Sequence, residues 1–245
     1  MSVSSAALSG HTALVTGATA GFGRASAVEL ARSGAEVVVH GRSADRGRDV
    51  VDEITAANGQ ARFISADLVT VEGARSLADQ AGRVDILVNN AGFSSWAPTA
   101  EFDLDDFDAM FASNVRSPFV LVASLAPRMV ERGYGSIINV GSMAGAIGLV
   151  TGAAYGATKA AIAALTRSWA AEYSDKGVRI NTIAPGPIYT RPEAKELFDS
   201  LGATTAMRRA AQPEEIAEVV SFLASPQASY ITSATIAVDG GRTAI

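Results

Sequence analysis

The stretch TALVTGATAGFG (residues 12–23) decides the fold, because it joins a short apolar run directly to three closely spaced glycines. The run TALVT is almost continuously apolar, as expected of a strand buried on both faces of a parallel sheet. Gly17 allows the chain to turn off the strand, Gly21 allows the backbone to approach a pyrophosphate, and Gly23 permits close helix–strand contact. The pattern predicts a strand–turn–helix unit that binds a dinucleotide at the helix N-terminus, with a tight turn that binds no ligand as the alternative.

Six further runs of the same kind follow along the chain, separated by stretches with helical periodicity. These runs are EVVVH (36–40), ARFISA (61–66), DILVN (85–89), SIINV (136–140), RINTIA (179–184) and TIAVD (235–239). The alternation predicts an α/β protein with a doubly wound, seven-stranded parallel Rossmann sheet and helices on both faces. We expect a single dinucleotide-binding catalytic domain over residues 1–245, since no internal repeat or linker interrupts the pattern. The long strand-free stretch after Pro185 predicts a substrate lid over residues 190–212.

The composition excludes several classes of protein. The chain has 245 residues, a net charge of −5 and no basic stripe, which argues against nucleic acid as a partner. It has no cysteine, which excludes a disulfide scaffold and a thiolate catalyst, and its two histidines, His11 and His40, lie too far apart to suggest a metal site. The chain shows neither a basic, apolar leader nor an uninterrupted apolar window of about 20 residues. We therefore expect a cytoplasmic protein with no membrane partner.

The end of the second run indicates which dinucleotide is bound. It reads VVVHGRS (37–43) and lacks the carboxylate that would bind the ribose 2′-hydroxyl of NAD. Gly41 stands in that place and Arg42 follows, and a guanidinium suits a 2′-phosphate through charge-assisted hydrogen bonds. The sequence predicts NADP(H) in preference to NAD(H), and the alternative is that Arg42 is a solvated loop charge.

Lys159 stands alone in the small-residue stretch GAAYGATKAAIAALT (152–166). It is the one charged residue between Arg132 and Arg167, although 18% of the chain is charged. Tyr155 lies four residues earlier, so both side chains share one face of a predicted helix. A nearby ammonium favours the phenolate, so we expect the pKa of Tyr155 to lie below its usual value of about 10, in a range useful for acid–base chemistry. The alternative is an amphipathic pair whose lysine reaches solvent.

Two further polar residues stand where local structure makes them available. Ser142 follows the fifth run, and functional groups in parallel sheets lie beyond the carboxyl ends of strands, although a plain turn serine is the alternative. Asn114 lies in a helical pattern, four residues before Pro118. Proline has no N–H, so the main-chain carbonyl of Asn114 is predicted to lack its helical partner and to bind water at a local kink. The alternative is that the helix breaks near Ser117.

Together these motifs and their order resemble the short-chain dehydrogenase/reductase family over essentially the whole chain. The matching segments and residues are TGATAGFG (16–23), DL (67–68), NNAG (89–92), Asn114, Ser142, YGATK (155–159) and PGPIYT (185–190). The resemblance implies that Tyr155 is the general acid/base, that Lys159 lowers its pKa and binds the nicotinamide ribose, and that Ser142 orients the carbonyl oxygen. It also implies that the main chain of Asn114 holds a water in a proton relay to Lys159.

The resemblance further implies which residues bind the two small molecules. Those implied for NADP(H) are Gly17, Thr19, Gly21, Phe22, Gly23, Arg42, Asp67, Leu68, Asn90, Ala91, Gly92, Tyr155, Lys159, Pro185, Gly186, Ile188 and Thr190. Those implied for the substrate are Ser94, Trp96, Ala144, Leu149, Val150 and Tyr189. This second set is mostly apolar, which favours a neutral ketone or secondary alcohol.

The implied activity is hydride transfer between NADP(H) and a ketone or secondary alcohol, by a carbonyl reductase or alcohol dehydrogenase that needs no metal. Homotetramers are common in the family, so we expect one here. Within the family, a 3-oxoacyl thioester reductase and a sugar dehydrogenase remain open. From other classes, the alternatives are a non-catalytic dinucleotide sensor and a nucleotide-binding transferase, in which the pair Tyr155 and Lys159 has no role.

Overall fold

The computed structural model describes residues 7–245 and confirms the seven predicted strands, each within one residue of its predicted bounds at either end. The strands are β1 (Thr12–Val15), β2 (Glu36–Gly41), β3 (Gln60–Ser65), β4 (Ile86–Asn89), β5 (Gly135–Val140), β6 (Val178–Pro185) and β7 (Thr235–Val238). Residues 1–6 lie outside the described residues. They begin the N-terminal stretch that is predicted not to be a leader.

The strands form one parallel sheet in the order β3-β2-β1-β4-β5-β6-β7. Val15 of β1 is in register with Val39 of β2 on one side and with Val88 of β4 on the other. The chain therefore winds outward in opposite directions from β1 and β4. In open parallel sheets this switch point leaves a crevice at the carboxyl ends of the strands, where ligands bind.

Helices follow the strands and cover both faces of the sheet. They are α1 (Gly21–Arg32), α2 (Ala44–Ala56), α3 (Val71–Ala81), α4 (Leu104–Phe111), α5 (Ser117–Glu131), α6 (Ala153–Tyr173), α7 (Lys195–Gly202) and α8 (Pro213–Ala224). On one face, α1 and α8 pack together through a core that includes Leu30 and Val220. On the other face, α3, α5 and α6 bury Leu77, Leu125 and Trp169. The predicted doubly wound architecture is confirmed.

The kink predicted near Pro118 is a π-helical segment, Ala112–Arg116, that joins α4 to α5. The N–H of Ser117 bonds the carbonyl of Ala112, five residues back, instead of following the α-helical pattern. Because Pro118 has no N–H, the carbonyl of Asn114 has no α-helical donor, as the sequence predicts. The alternative, a helix that breaks near Ser117, is wrong, since α5 continues from that residue.

The combined helix Leu104–Glu131 is long and apolar enough to cross a membrane, judged by length and composition alone. Half of its most apolar window is buried within the fold, and α5 packs against α3. Within residues 7–245, this candidate span is therefore a core helix.

A chain of buried polar side chains fixes α6 above the sheet. Asn89 Nδ2 donates to Asn139 Oδ1 at 2.8 Å, and Asn139 Nδ2 donates to Thr166 Oγ1 at 2.8 Å. Thr166 in turn shares a hydrogen bond with Thr182 at 2.7 Å. These bonds connect β4, β5, α6 and β6 and hold α6 to the sheet through Thr166. The residues carried by the N-terminal half of α6 are held in place by this chain.

Candidate active site

A cavity of about 1280 Å³ opens at the carboxyl ends of the strands, at the switch point of the sheet. Every residue that the family resemblance implies for NADP(H) lines it, from Gly17 to Thr190. Ser142, Tyr155 and Lys159 line the same cavity. The fold thus brings the glycine turn and the acid–base candidates to one site.

The glycines of the turn form a backbone cradle that has no room for side chains. Gly17 has φ +65, and a Cβ there would lie 3.0 Å from the Cα of Ala91. A Cβ on Gly23 would lie 2.3 Å from Nδ2 of Asn90. That amide donates to the main-chain oxygens of Thr16 at 2.8 Å and Gly17 at 3.0 Å, which fixes the turn from the β4 side. The cradle is therefore rigid before any ligand binds.

The start of α1 has hydrogen-bond donors available for an anion. Its N-cap, Ala20, has no side-chain acceptor, and the first turn contains no acidic residue. By contrast, α2, α3 and α4 are capped by the side chains of Ser43, Thr70 and Asp103. An uncapped helix N-terminus beside a glycine turn, facing a cavity, fits the pyrophosphate of a dinucleotide.

His40, at the end of β2, fixes the glycine cradle through hydrogen bonds. This role was not predicted from the sequence. The Nδ1 atom of His40 accepts the N–H of Gly17 at 3.2 Å, so the neutral ring carries its proton on Nε2, which donates to the carbonyl of Ala66 at 3.2 Å. Burial lowers the pKa of His40, and the bond to Ala66 only partly opposes that effect. A polar residue ending an otherwise apolar strand is the signal that could have identified it.

We expect the free energy of unfolding to decrease as the pH falls from 7 to 5. In the variant His40→Gln, this decrease is expected to be smaller. Because the folded-state pKa of His40 is lowered, the unfolded chain takes up the proton first as the pH drops below about 6.5, which costs at most about 2 kcal/mol by pH 5. Glutamine can keep both hydrogen bonds without titrating. Urea denaturation at the two pH values measures the effect, and equal losses in both proteins would contradict this role.

Two arginines after β2 line the cavity. Arg42 was expected there, and Arg46, from the first turn of α2, joins it although the sequence analysis did not select it. Among residues 7–245 neither forms an ion pair, whereas their neighbour Arg48 pairs with Asp45. The four-residue spacing of the two arginines across a loop and a helix start was the available signal.

Ser142 and Tyr155 meet because small residues let two segments approach closely. The short 3₁₀ turn after Ser142 packs on α6, where a Cβ on Gly145 would lie 2.9 Å from the carbonyl carbon of Lys159. A Cβ on Gly156 would lie 2.7 Å from the carbonyl oxygen of Ala144. This approach places the Ser142 side chain near enough to the Tyr155 phenol to influence its pKa. This contact explains why α6 is built from small residues around its one lysine.

The expected lowering of the Tyr155 pKa is wrong for this structure. Burial raises that pKa, and the nearby Ser142 side chain opposes the rise without reversing it. Lys159 Nζ lies 5.6 Å from the centre of the Tyr155 ring but donates its hydrogen bond to the carbonyl of Val140, at 2.8 Å. The spacing of four residues placed the two groups on one face, but the loss of water around the phenol has the larger effect.

Lys159 is buried in the cavity wall, with 7% of its surface exposed, and burial lowers its pKa to about 8. The alternative in which this side chain reaches solvent is therefore wrong. Its single hydrogen-bond partner among the described residues is the last residue of β5, Val140. An ammonium with three donors and one protein partner has donors left for a ligand or water in the cavity.

The side chain of Asn114 ties the loop after β4 to α6. Its Nδ2 donates to the carbonyl of Phe93 at 2.9 Å and to Thr158 Oγ1 at 3.1 Å, and its Oδ1 accepts the N–H of Phe93 at 3.1 Å. Thr158 donates to the carbonyl of Tyr155 at 2.7 Å. The side chain is thus occupied by structural bonds, which leaves the main-chain carbonyl as the group of Asn114 that could serve the site.

Comparison with known proteins agrees with the family resemblance seen in the sequence. A family model described as "Enoyl-(Acyl carrier protein) reductase" matches residues 17–243. The 7alpha-hydroxysteroid dehydrogenase of Escherichia coli K12 is 38% identical, and the match covers 96% of this chain and 94% of that protein. A solved structure described as a short chain dehydrogenase/reductase family protein is 47% identical, with a TM-score of 0.92 over 98% of this chain and 100% of that one. This chain belongs to the short-chain dehydrogenase/reductase family.

Short-chain dehydrogenases/reductases are oxidoreductases that use a nicotinamide dinucleotide and act on alcohols and ketones. One further relative of known structure, a blue fluorescent protein from a metagenomic library, is in complex with NADPH. It is 36% identical to this chain, with a TM-score of 0.90 over 96% of this chain and 99% of that one.

In this short-chain dehydrogenase/reductase, five of the six residues expected at the substrate line the cavity. They are Ser94, Trp96, Ala144, Leu149 and Val150. The Trp96 ring lies 5.5 Å from the Tyr155 ring and rests on Gly152, where a Cβ would lie 2.6 Å from the indole. An aromatic wall next to the phenol restricts how a substrate can approach it.

Tyr189 is the exception, and its expected place in the cavity is wrong. Ile188, which lines the cavity, forms a backbone bridge with Ala211, so the next side chain along this extended segment points the other way. The hydroxyl of Tyr189 donates to Asp199 Oδ1 at 2.5 Å, and its ring lines a separate groove beside α1 and α8.

Several lining residues escaped the sequence analysis because they come from segments without a motif. They are Phe93, Ser113, Met143, Arg191, Leu197, Phe198, Leu201, Thr204 and Arg242. Leu197, Phe198 and Leu201 belong to α7, within the stretch 190–212 that was expected to be a lid. Their spacing of three to four residues along a helix with an apolar face was the signal available.

Proposed function

We propose that this chain is an NADP(H)-dependent carbonyl reductase or alcohol dehydrogenase acting on a small molecule that carries a ketone or secondary alcohol. One observation carries the proposal: Ser142, Tyr155 and Lys159 line the same cavity as the glycine cradle of α1. A dinucleotide in that cradle and a carbonyl at the Ser142–Tyr155 pair would share one enclosed space.

The residues present fit the dinucleotide. The cradle around Gly17 and the uncapped start of α1 suit its pyrophosphate, Asp67 and Leu68 suit its adenine, and the buried Lys159 suits its nicotinamide ribose. Asn90 to Gly92 and Pro185 to Thr190 form the remaining walls. When bound there, the dinucleotide supplies the hydride for reduction or accepts it in oxidation.

Tyr155 acts as the general acid in reduction and as the general base in oxidation. The phenol and the Ser142 hydroxyl both donate to the substrate carbonyl oxygen, which polarises the C=O bond. Because burial raises the pKa of Tyr155, the phenol is protonated at neutral pH and ready to give its proton to that oxygen.

After Tyr155 has given its proton to the substrate, Lys159 and Asn114 help to reprotonate it. The ammonium of Lys159 stabilises the phenolate left on Tyr155 after proton transfer. A water at the Asn114 main-chain carbonyl, which Pro118 deprives of its helical donor, connects this ammonium to solvent. Asn114 lies within the π-helical segment, and π-bulges are frequent at functional sites.

The NADP(H) preference rests on the two unpaired arginines after β2. The variant Arg42→Ala/Arg46→Ala is expected to lower kcat/KM for NADPH about tenfold to a hundredfold relative to that for NADH, because each guanidinium bonds the 2′-phosphate that NADH lacks. Steady-state kinetics with both dinucleotides measure the ratio. Arg48→Ala is the matched control, since Arg48 pairs with Asp45 outside the cavity. A wild-type protein with higher kcat/KM for NADH would overturn the preference.

The substrate screen that tests the proposal follows NADPH oxidation with ketones, 3-oxoacyl thioesters and sugar-derived carbonyls. A non-catalytic dinucleotide sensor would bind NADPH and turn over none of them. That alternative is disfavoured, since a sensor has no use for the phenol, hydroxyl and ammonium gathered at one end of the cavity. Turnover confined to thioesters or to sugars would place the enzyme in one of those narrower groups.

The proposal extends to the whole chain as one catalytic domain over residues 1–245, with the segment 190–212 as the substrate lid. Three apolar side chains of α7 within that segment support the lid, because they form one wall of the cavity. We further propose a cytoplasmic homotetramer, on the resemblance to the family.

A further inference from the structure

Arg242 follows β7 and lines the cavity from the half of the sheet that also contains β5, after which Ser142 lies. It lines the same cavity as Ser142 and Tyr155. The segment just before it abuts the loop after β6: the N–H of Gly186 bonds the carbonyl of Val238 at 3.1 Å, and a Cβ on Gly186 would lie 2.7 Å from the Cα of Asp239. The arginines that suit a 2′-phosphate follow β2, in the other half of the sheet.

The turn that carries Arg242 is fastened by its own hydrogen bonds. Gly240 and Gly241 have φ +61 and +78, a conformation that other residues rarely adopt. The buried carboxylate of Asp239 accepts the N–H of Gly241 at 2.9 Å and both the N–H and the hydroxyl of Thr243, at 2.9 and 2.7 Å. Asp239 is therefore committed to the turn, and Arg242 forms no ion pair with any residue in the range 7–245.

The remaining charged residues that line this part of the cavity do not offer a second cation for a substrate. The ammonium of Lys159 bonds the carbonyl of Val140, and Arg191 is exposed at the start of the lid segment. Asp67 is the single acidic residue among the described lining residues, and it follows β3, in the other half of the sheet. Arg242 is thus a partly exposed cation in the cavity wall without an ion-pair partner among residues 7–245, and a group of opposite charge on the substrate would pair with it.

The walls between Tyr155 and the lid are apolar. Trp96 and Leu149 stand on one side, and Leu197 and Leu201 of α7 stand on the other. Resting on the proposed carbonyl chemistry, we infer that the substrate is an oxo acid or the corresponding hydroxy acid. Its carbonyl lies at Ser142 and Tyr155, its carbon chain lies along these walls, and its carboxylate binds the guanidinium of Arg242, whose planar donors match it.

The test compares oxo acids with their methyl esters, which keep the shape and lose the charge. A series with the carbonyl two to five bonds from the carboxylate covers the unknown length, with NADPH oxidation as the readout. In the wild type, kcat/KM for at least one acid is expected to exceed that for its ester at least tenfold. Arg242→Met is expected to bring the two values within about twofold, mainly through KM of the acid, and Arg242→Lys to restore part of the difference.

Arg75→Met is the control, because Arg75 lies on α3, is exposed and does not line the cavity. A direct titration of NADPH binding accompanies the kinetics. If Arg242→Met weakens NADPH binding more than tenfold, the residue serves the dinucleotide and the inference is overturned. A wild type that reduces esters as well as acids also overturns it while leaving the carbonyl chemistry intact. Only a wild type that reduces no carbonyl at all contradicts the proposed function itself.

Discussion

Replacing Tyr155 with phenylalanine is expected to lower kcat about 10²-fold to 10⁴-fold, the range contributed by a positioned general acid. The phenylalanine ring keeps the contact with Trp96, whose ring lies 5.5 Å from that of Tyr155, so the shape of the cavity wall is retained. What is lost is the phenolic proton donor, which lines the cavity together with Ser142. The loss therefore falls on the chemical step.

Binding and rate have to be measured together for this result to be informative. NADPH fluorescence titration of Tyr155→Phe should give a Kd within about threefold of the wild type, because the cradle around Gly17 does not involve the phenol. Ser142→Ala is the companion variant, with a smaller loss in kcat, since it removes one of two donors to the carbonyl oxygen. A Tyr155→Phe enzyme that retains wild-type turnover with intact NADPH binding would rule out the acid–base assignment.

The pH dependence of turnover follows from the burial of the phenol. Because the pKa of Tyr155 is raised, the acid form persists through neutral pH, and reduction should not lose its proton donor until the pH exceeds the usual range of tyrosine titration. The spacing of Tyr155 and Lys159 predicts a lowered pKa instead. The charge on Lys159 can be read from the sequence, whereas the exclusion of water by the surrounding walls cannot. Desolvation depends on residues far apart in the chain, and a local spacing carries no information about it.

The sheet could be predicted because each strand is buried on both faces and reads as an uninterrupted apolar run. The run before Gly17 and the run SIINV are examples, and both lie within one residue of the observed strands. The kink at Pro118 was equally accessible, since it follows from a missing N–H, which is a property of one residue. Features that depend on the covalent chemistry of one residue, or on a regular pattern of apolar residues, could therefore be predicted from the sequence.

The features that escaped prediction depend on contacts between distant segments. His40 matters because Gly17 and Ala66 come to its two ring nitrogens from the ends of other strands. Tyr189 was misplaced because the bridge between Ile188 and Ala211 decides which way its side chain points. In each case the decisive partner lies more than 20 residues away, so no motif in the immediate surroundings encodes it.

The variant Lys159→Met is expected to be inactive and yet more stable than the wild type. Burial lowers the pKa of Lys159 to about 8, so the folded state holds an ammonium that the unfolded chain would solvate freely. The charge destabilises the fold at pH values below about 8, and the wild type should gain stability as the pH rises from there to about 10.5. Methionine fills the same space without a charge and removes both the penalty and the pH dependence.

Urea denaturation at pH 7 and pH 10 measures this, and the gain at pH 7 should be at most about 3 kcal/mol, reduced by the loss of the bond to Val140. Turnover should fall at least about 10²-fold, because the phenolate of Tyr155 loses the cation that stabilises it. A residue kept for packing alone would lose stability and activity together when replaced. Opposite signs for the two changes would mean that the fold bears an unfavourable buried charge for the sake of the chemistry, whereas a destabilised or active Lys159→Met protein would contradict that account.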